Sequence, residues 1–226
     1  MSFMNKRPYK LIVIEGVDSS GKATQSKLLK ERLISDGIKT ESIEFPNYLS
    51  PGSALVKMYL GGEFGSDPNS VSPYAASTFF AVDRFASYRK DWKDYYENGG
   101  LVLADRYTTS NAIHQASKLD GEEQNAYLDW LFDFEYRIMG LPAPDHVFFL
   151  DMPTEAVHEL LIHREGKSTD IHEKDIPYLQ RCYQTASKLA DRFHWERIRC
   201  TKNGSIRSIE AISNDLIGRF AALIEK

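Results

Sequence analysis

Short apolar runs alternate along the chain with longer stretches in which apolar residues recur every three or four positions. Runs rich in Val, Ile and Phe, bounded by polar or glycine-bearing sequence, predict buried strands, and the intervening period predicts helices. Their alternation is the pattern of a parallel sheet with crossover helices. Five strands are predicted, at Lys10–Glu15, Lys39–Glu44, Leu101–Asp105, His146–Asp151 and Trp195–Thr201. Helices are predicted at Gly21–Asp36, Gly52–Leu60, Pro73–Asn98, Tyr107–Ser117, Glu122–Met139, Pro153–His163, Lys174–Phe193 and Ser205–Ile224. Ser72 before Pro73 supplies an N-cap and a first-turn proline, and Asn98-Gly99-Gly100 supplies a stop, so the long middle helix is well bounded. The expected fold is α/β, a five-stranded parallel sheet flanked by helices, with residues 1–226 read as one domain. Gly61–Pro68 reads as a surface loop and Arg164–Asp170 as a polar break between helices; neither has the character of a domain linker.

Composition and charge narrow the partners. With 42% hydrophobic and 27% charged residues, the chain has the profile of a globular protein rather than a fibrous or disordered one. The formal charge is −4, the sequence pI is near 5.9, and Lys and Arg are scattered, which argues against a nucleic acid polymer and leaves room for a small chelated anion. Cys182 and Cys200 have neither CxxC nor Cys/His ligand spacing, so no disulfide framework or zinc site is indicated. Met1–Lys10 is polar and basic without an apolar signal core, and no run approaches the roughly 18 apolar residues of a membrane span. The expectation is a cytoplasmic protein with no membrane partner.

Chemistry enters at the end of the first strand. Gly16-Val17-Asp18-Ser19-Ser20-Gly21-Lys22-Ala23-Thr24 is GxxxxGK, followed by a strong helical pattern, the context a phosphate-binding loop requires. Glycine lets the backbone turn its N–H groups toward oxygen anions, the next helix adds its positive end, and Lys22 supplies a cation for the β and γ phosphates. A ligand-free glycine turn is the alternative, which the flanking strand and helix disfavour. Ala23 stands where many phosphate loops carry the Ser or Thr that ligates Mg²⁺, so that direct ligand is lost.

A phosphate loop by itself leaves GTPases, ATPases and kinases open. No strand is followed by DxxG, and the nearest approach to NKxD, Thr201-Lys202-Asn203-Gly204, lacks the carboxylate, so a GTPase switch is disfavoured. Phe80 and Arg84 share a helix face at i, i+4 and offer a ring for stacking beside a cation; the alternative is Phe80 in the core and Arg84 in a surface ion pair. Asp105-Arg106-Tyr107 closes a buried strand at the edge where open α/β sheets bind ligands. There Asp105 can orient metal-bound water or a sugar hydroxyl, and Arg106 can neutralise an acceptor phosphate, against the alternative of a structural Asp–Arg pair. Asn111 and His114 follow at helical spacing.

Together with Phe45-Pro46-Asn47-Tyr48, Ser110-Asn111, the strand Pro144–Asp151 and the segment Arg164-Glu165-Gly166-Lys167 through Asp170-Ile171-His172-Glu173, these residues resemble the thymidylate kinase family over essentially the whole chain. The resemblance implies a P-loop NTPase fold with a lid at about 164–174, transfer of a phosphoryl group from ATP to dTMP giving dTDP and ADP, Mg²⁺ as cofactor, and a homodimer. Residue by residue it implies that Phe80 stacks on the base, Arg84 and Asn111 read its edge, and Arg106 with Tyr48 holds the acceptor phosphate. Phe45, Pro46, Ser110 and His114 complete that pocket. Asp18 organises the metal or the deoxyribose, and Asp18, Asp105 and Glu173 are the metal candidates, through water. Because the phosphate loop has no arginine, Arg164 and Lys167 of the lid join Lys22, Arg106 and Asp105 in the catalytic set, while Asp170 and Glu173 close over the sugar and metal.

Adenylate kinases have a similar loop, Gly-Lys-Gly-Thr, and hold Mg²⁺ through water and distant carboxylates, so Ala23 is compatible with a kinase and Thr24 faces the α-phosphate. Asn47 stands where many relatives carry arginine, shifting the phosphate grip to Tyr48, Arg84 and Arg106. His114 stands where relatives carry Tyr or Phe, a ring thought to exclude a ribose 2′-hydroxyl, and an imidazole can instead accept one. Two alternatives stay open: a kinase for another pyrimidine monophosphate, and a weakened nucleotide-binding regulatory protein.

Overall fold

A computed structural model of the chain describes residues 9–157 and 175–224. Five parallel strands form the sheet: β1 (Leu11–Glu15), β2 (Thr40–Glu44), β3 (Leu101–Asp105), β4 (His146–Asp151) and β5 (Glu196–Arg199), in the order β2-β3-β1-β4-β5. β1 lies at the centre with all five residues buried, which is why Leu-Ile-Val-Ile runs without polar alternation: helices cover both faces of a parallel sheet. β2, at one edge, reads Thr-Glu-Ser-Ile-Glu and keeps its glutamates exposed, a charged edge that resists pairing with another chain.

The helices are α1 (Lys22–Ser35), α2 (Ala54–Leu60), α3 (Pro73–Ser87), α4 (Lys93–Glu97), α5 (Thr108–His114), α6 (Gly121–Phe132), α7 (Ile176–Arg192) and α8 (Ile209–Ile224). The predicted start of α3 holds: Ser72 Oγ accepts from the Ala75 amide at 3.2 Å with Pro73 in the first turn. The single helix predicted to Asn98 is interrupted by a π-helical segment at Tyr88–Trp92, and the helix predicted over Glu122–Met139 ends in a second one at Asp133–Ile138. A π turn holds one more residue than an α turn and re-aims the side chains on it. The first turns Trp92 inward, 1% exposed, onto the rings of Tyr88, Tyr96 and Tyr107; the second buries Glu135 completely. A 3.6-residue period carries no mark of such an insertion.

The last predicted helix is corrected at its start. Thr201–Lys202 pairs antiparallel with Ser205–Ile206 around Asn203-Gly204, whose φ angles of 51° and 79° suit the primed hairpin turn that Asn-Gly favours. The last sheet strand accordingly ends at Arg199 and α8 begins at Ile209. The predicted helix Pro153–His163 beyond 157 and the lid, Arg164–Glu173, lie outside the described residues. Among the described residues no helix is long and apolar enough to cross a membrane.

β1 is flanked by β3 and β4, and the pairing of Ile14 with Asp105 and Phe148 brings three strand ends to one edge. The phosphate loop follows β1 and Arg106 follows β3, so both leave the sheet side by side. Trp92 underpins the β3 side of this junction through Tyr107. Trp92→Ala is expected to cost about 3–5 kcal/mol of folding stability, as core aromatic truncations do, read by equilibrium urea unfolding; a midpoint equal to that of the unaltered protein would show that the π turn does not support the core.

Candidate active site

The phosphate loop is shaped by close contact and backbone sign. A Cβ on Gly16 would meet Ser20 Oγ at 2.5 Å and the Leu150 carbonyl at 3.2 Å, so only glycine lets the loop lie against β4. Gly21, at φ 89°, turns the chain into α1 and leaves that helix without a side-chain cap, its first amides open to an anion. Lys22 is 5% exposed and its Nζ donates to the Val17 carbonyl at 2.6 Å, inside the curl of the loop. Burial, with the nearby Arg106 cation, pulls its pKa down to about 8, against the opposing pull of Asp18, Asp105 and Glu15. The Ser20 hydroxyl is buried without a partner among the described residues.

Arg106 occupies the left-handed region, φ 66°, a strained conformation for a side-chain-bearing residue. Its Nη2 donates to Asp18, and its Nη1 lies 3.4 Å from Ser110 Oγ and 3.5 Å from His114 Nε2. Burial opposes its charge, and Asp18, Glu15 and Asp105 overcome that, holding the pKa above the ordinary guanidinium value. Beneath sits Glu15, fully buried at the end of β1, which accepts from the Gly16 amide at 2.9 Å, Thr109 Oγ1 at 2.6 Å and Ser110 Oγ at 2.9 Å. Burial raises its pKa despite the neighbouring cations.

From Arg106 a cavity runs inward between α3 and α5. All of the predicted substrate residues within the described chain line it: Phe45, Pro46, Tyr48, Phe80, Arg84, Arg106, Ser110, Asn111 and His114, together with Asp18. Phe80 stands edge-on to Tyr59, centroids 6.1 Å apart. Asn111 Nδ2 donates to the Ser77 carbonyl at 3.3 Å, which fixes the orientation of the amide. Arg84 is not in a surface ion pair: the pair exists, with Glu135, but both partners are buried. His114 Nδ1 lies 3.5 Å from Cys182 Sγ and 3.9 Å from Asp18 Oδ2. Burial pushes the Cys182 thiol up to about 12, so it is a neutral neighbour.

Three predicted residues fall elsewhere. Asp105 and Ala23 line a separate groove with Lys27 and Asn47, and the Thr24 side chain is exposed. Asp18 and Asp105 thus do not share the inner cavity, and among the described residues no three His, Cys, Asp or Glu gather in a metal-binding group. Arg164, Lys167, Asp170 and Glu173 lie outside the described residues.

The cavity also contains what periodicity and motif did not find. Gln115 is fully buried in its wall, and neither amide atom has a partner among the described residues. A weak signal was present, since Gln115 stands four positions after Asn111, one helical turn on at the end of α5. Glu15 also carried one, a carboxylate closing the run Leu-Ile-Val-Ile, whereas nothing in the sequence around Glu135 marks it as a partner of Arg84.

The geometry therefore offers an anion seat at Lys22, a second at Arg106, and beyond it a slot lined by Phe80 and by the hydrogen-bonding side chains of Arg84, Asn111 and Gln115. A larger groove along β5 and α8 contains none of these residues. The sequence profile described as thymidylate kinase matches residues 14–211. The thymidylate kinase of Plasmodium falciparum (isolate 3D7) is 30% identical over 213 residues, covering 94% of this chain and 90% of that one. The Mycobacterium tuberculosis (strain ATCC 25618 / H37Rv) thymidylate kinase is 31% identical over 185 residues, covering 80% and 85% respectively. A solved structure of thymidylate kinase from Candida albicans shares the fold with a TM-score of 0.72 at 21% identity, covering 95% of this chain and 92% of that one. With the phosphate loop, the five-stranded parallel sheet and a family match over most of its length, this chain belongs to the thymidylate kinase family of nucleoside-monophosphate kinases.

Proposed function

We propose that this site transfers the γ-phosphoryl group of ATP to the 5′-phosphate of dTMP, giving dTDP and ADP for nucleotide biosynthesis. The observation that carries the reading is the cavity itself: residues from the phosphate loop, α3 and α5, far apart in sequence, line one slot that begins at Arg106, beside Lys22. ATP takes the loop, and the monophosphate lies with its phosphate at Arg106 and Tyr48 and its base against Phe80. Arg84, Asn111 and Gln115 then face the base edge, where the Gln115 amide offers one donor end and one acceptor end, the complement of an imide. Asp18 and His114 face the sugar.

Both cations are already engaged without ligand, Lys22 with the Val17 carbonyl and Arg106 with Asp18, and phosphate oxygens replace those partners on binding. No general base is needed, because the acceptor phosphate is ionised at neutral pH; transfer rests on alignment and on charge placed where the loose transition state spreads it. The donor set suits Mg²⁺: Asp18 and Asp105 are hard anionic oxygen ligands close enough to act electrostatically on Lys22, and with Ala23 contributing no oxygen they would hold the ion through water. Bound there, Mg²⁺ neutralises the triphosphate. The family resemblance gives Arg164 and Lys167 a share of the transferring charge, and Asp170 and Glu173 a place over sugar and metal. The proposed setting is the cytoplasm, which fits two free, buried cysteines.

We read the working form as a homodimer. α3 exposes Tyr74, Val82 and Phe85 down one face, with Leu55 exposed on the adjoining α2, an apolar surface suited to a second copy of the same helices.

In a coupled ADP-release assay across dTMP, dUMP, UMP, dCMP and AMP, dTMP is expected to give the highest kcat/KM. Lys22→Ala and Arg106→Ala are each expected to lower kcat by about 10²–10³-fold with the fold retained; no stimulation of ATP turnover by any monophosphate would refute the kinase reading. A pH profile adds a second check. Lys22 is protonated below its pKa of about 8 and loses its charge above it, so ATP affinity should be flat below that value and fall as pH rises through it. Lys22→Arg should abolish the fall, and a profile identical in both proteins would clear Lys22 of the role. Val82→Asp should turn a dimer into a monomer by light scattering; a monomeric unaltered protein would exclude the dimer.

A further inference from the structure

Arg84 is more deeply buried than Arg106 or Lys22, at 1% exposure, and a guanidinium removed from water keeps its charge only by pairing. Its partner is Glu135, with no exposure at all, which accepts from Arg84 Nε at 2.7 Å and Nη2 at 2.5 Å. Thr108 Oγ1, in the first turn of α5, donates to the same carboxylate at 2.6 Å. Burial alone would push Arg84 toward losing its proton, and Glu135 reverses that. Glu135 does not line the cavity; the π segment delivers it from behind, so whatever it does for a ligand it does through Arg84.

A guanidinium has five N–H donors and no acceptor. With two donors held by Glu135, those left to the cavity can meet a ring carbonyl but not an exocyclic amino group. The carboxylate also cancels the charge of Arg84, so the inner end of the slot is polar without being cationic. Without that negative charge, Arg84 would be a second anion seat at the wrong end, competing with Arg106 for the monophosphate. We propose that Glu135 is a positioning residue for base recognition: it fixes the plane of Arg84 and neutralises it, so that the slot takes an uncharged ring bearing a carbonyl and disfavours one bearing an amino group. The inference rests on the proposed function, because Arg84 reads a base only when a nucleotide occupies the slot.

Turnover of dTMP by the unaltered enzyme is measured first, and its absence would remove the kinase reading and this assignment with it. Given turnover, Glu135→Gln should raise KM for dTMP by about 10-fold or more and lower the preference for dTMP over dCMP by a similar factor, the scale of one charged hydrogen bond. KM for ATP and kcat at saturation should stay within about 2-fold, a split that general destabilisation of the enzyme would not produce. In an Arg84→Met background the same Glu135→Gln change should alter KM for dTMP by less than about 2-fold, its route having been removed. The paired variant Arg84→Met/Glu135→Leu fills the space without charge, so it should melt near the unaltered protein while losing base preference. A Glu135→Gln enzyme that melts lower but keeps its KM and preference for dTMP would overturn the proposal, as would equal effects of Glu135→Gln in both backgrounds. Should Glu135→Gln fail to fold, Arg84→Met and Arg84→Met/Glu135→Leu are compared: equal KM values for dTMP support action through Arg84, and a further about 10-fold rise in the pair overturns it.

Discussion

Two buried glutamates meet at the first turn of α5, and the site is organised around satisfying them. Glu15 ends the central strand and Glu135 enters from the π segment; neither has measurable exposure. A carboxylate taken out of water is costly unless hydrogen bonds and cations replace the lost hydration. The consecutive hydroxyls Thr108, Thr109 and Ser110 supply those bonds, one to Glu135 and two to Glu15. One short helix start thereby locks the two ends of the cavity together. Arg84 is tied to it through Glu135, and Arg106 through Ser110 and the field of Glu15.

This linkage accounts for the placement of charge. Lys22 and Arg106 stand among Asp18, Asp105 and Glu15, while Arg84 is held chiefly by Glu135 behind the slot wall. The outer end therefore has cations whose partners, Asp18 and a backbone carbonyl, can be exchanged for phosphate. At the inner end the pair is sealed from solvent and bidentate, with no reason to open. The same residue type, arginine, does different work at the two ends because its counter-ion is partly solvent-accessible in one case and fully buried in the other.

The fold was legible to the extent that it depends on period and contiguity. The five strands, the phosphate loop and the capped start of α3 follow from apolar runs, a glycine spacing and a Ser-Pro pair, all local features. The hairpin around Asn203-Gly204 was equally local, but its second strand, Ser205–Ile206, falls within the helix that the period predicts from Ser205. The members of the site were visible where motif and strand end coincide, as at Arg106 and Lys22. Glu135 was not, since its meaning lies in what it faces across the fold, and Gln115 had only its four-residue spacing from Asn111. That an amide lacks a partner, or that a glutamate meets an arginine 51 positions away, leaves no trace in sequence spacing.

The two π segments have a consequence for how this chain can change. A π turn is one residue inserted into an α-helix, and one residue of helix is a rotation of about 100°. Removing a single residue near Tyr88–Trp92 would swing Trp92 and α4 around the helix axis, and removing one near Asp133–Ile138 would carry Glu135 out of reach of Arg84. Substitutions there alter one side chain, whereas a deletion re-indexes every contact downstream until the next loop. Length, more than composition, is the property these two segments must preserve.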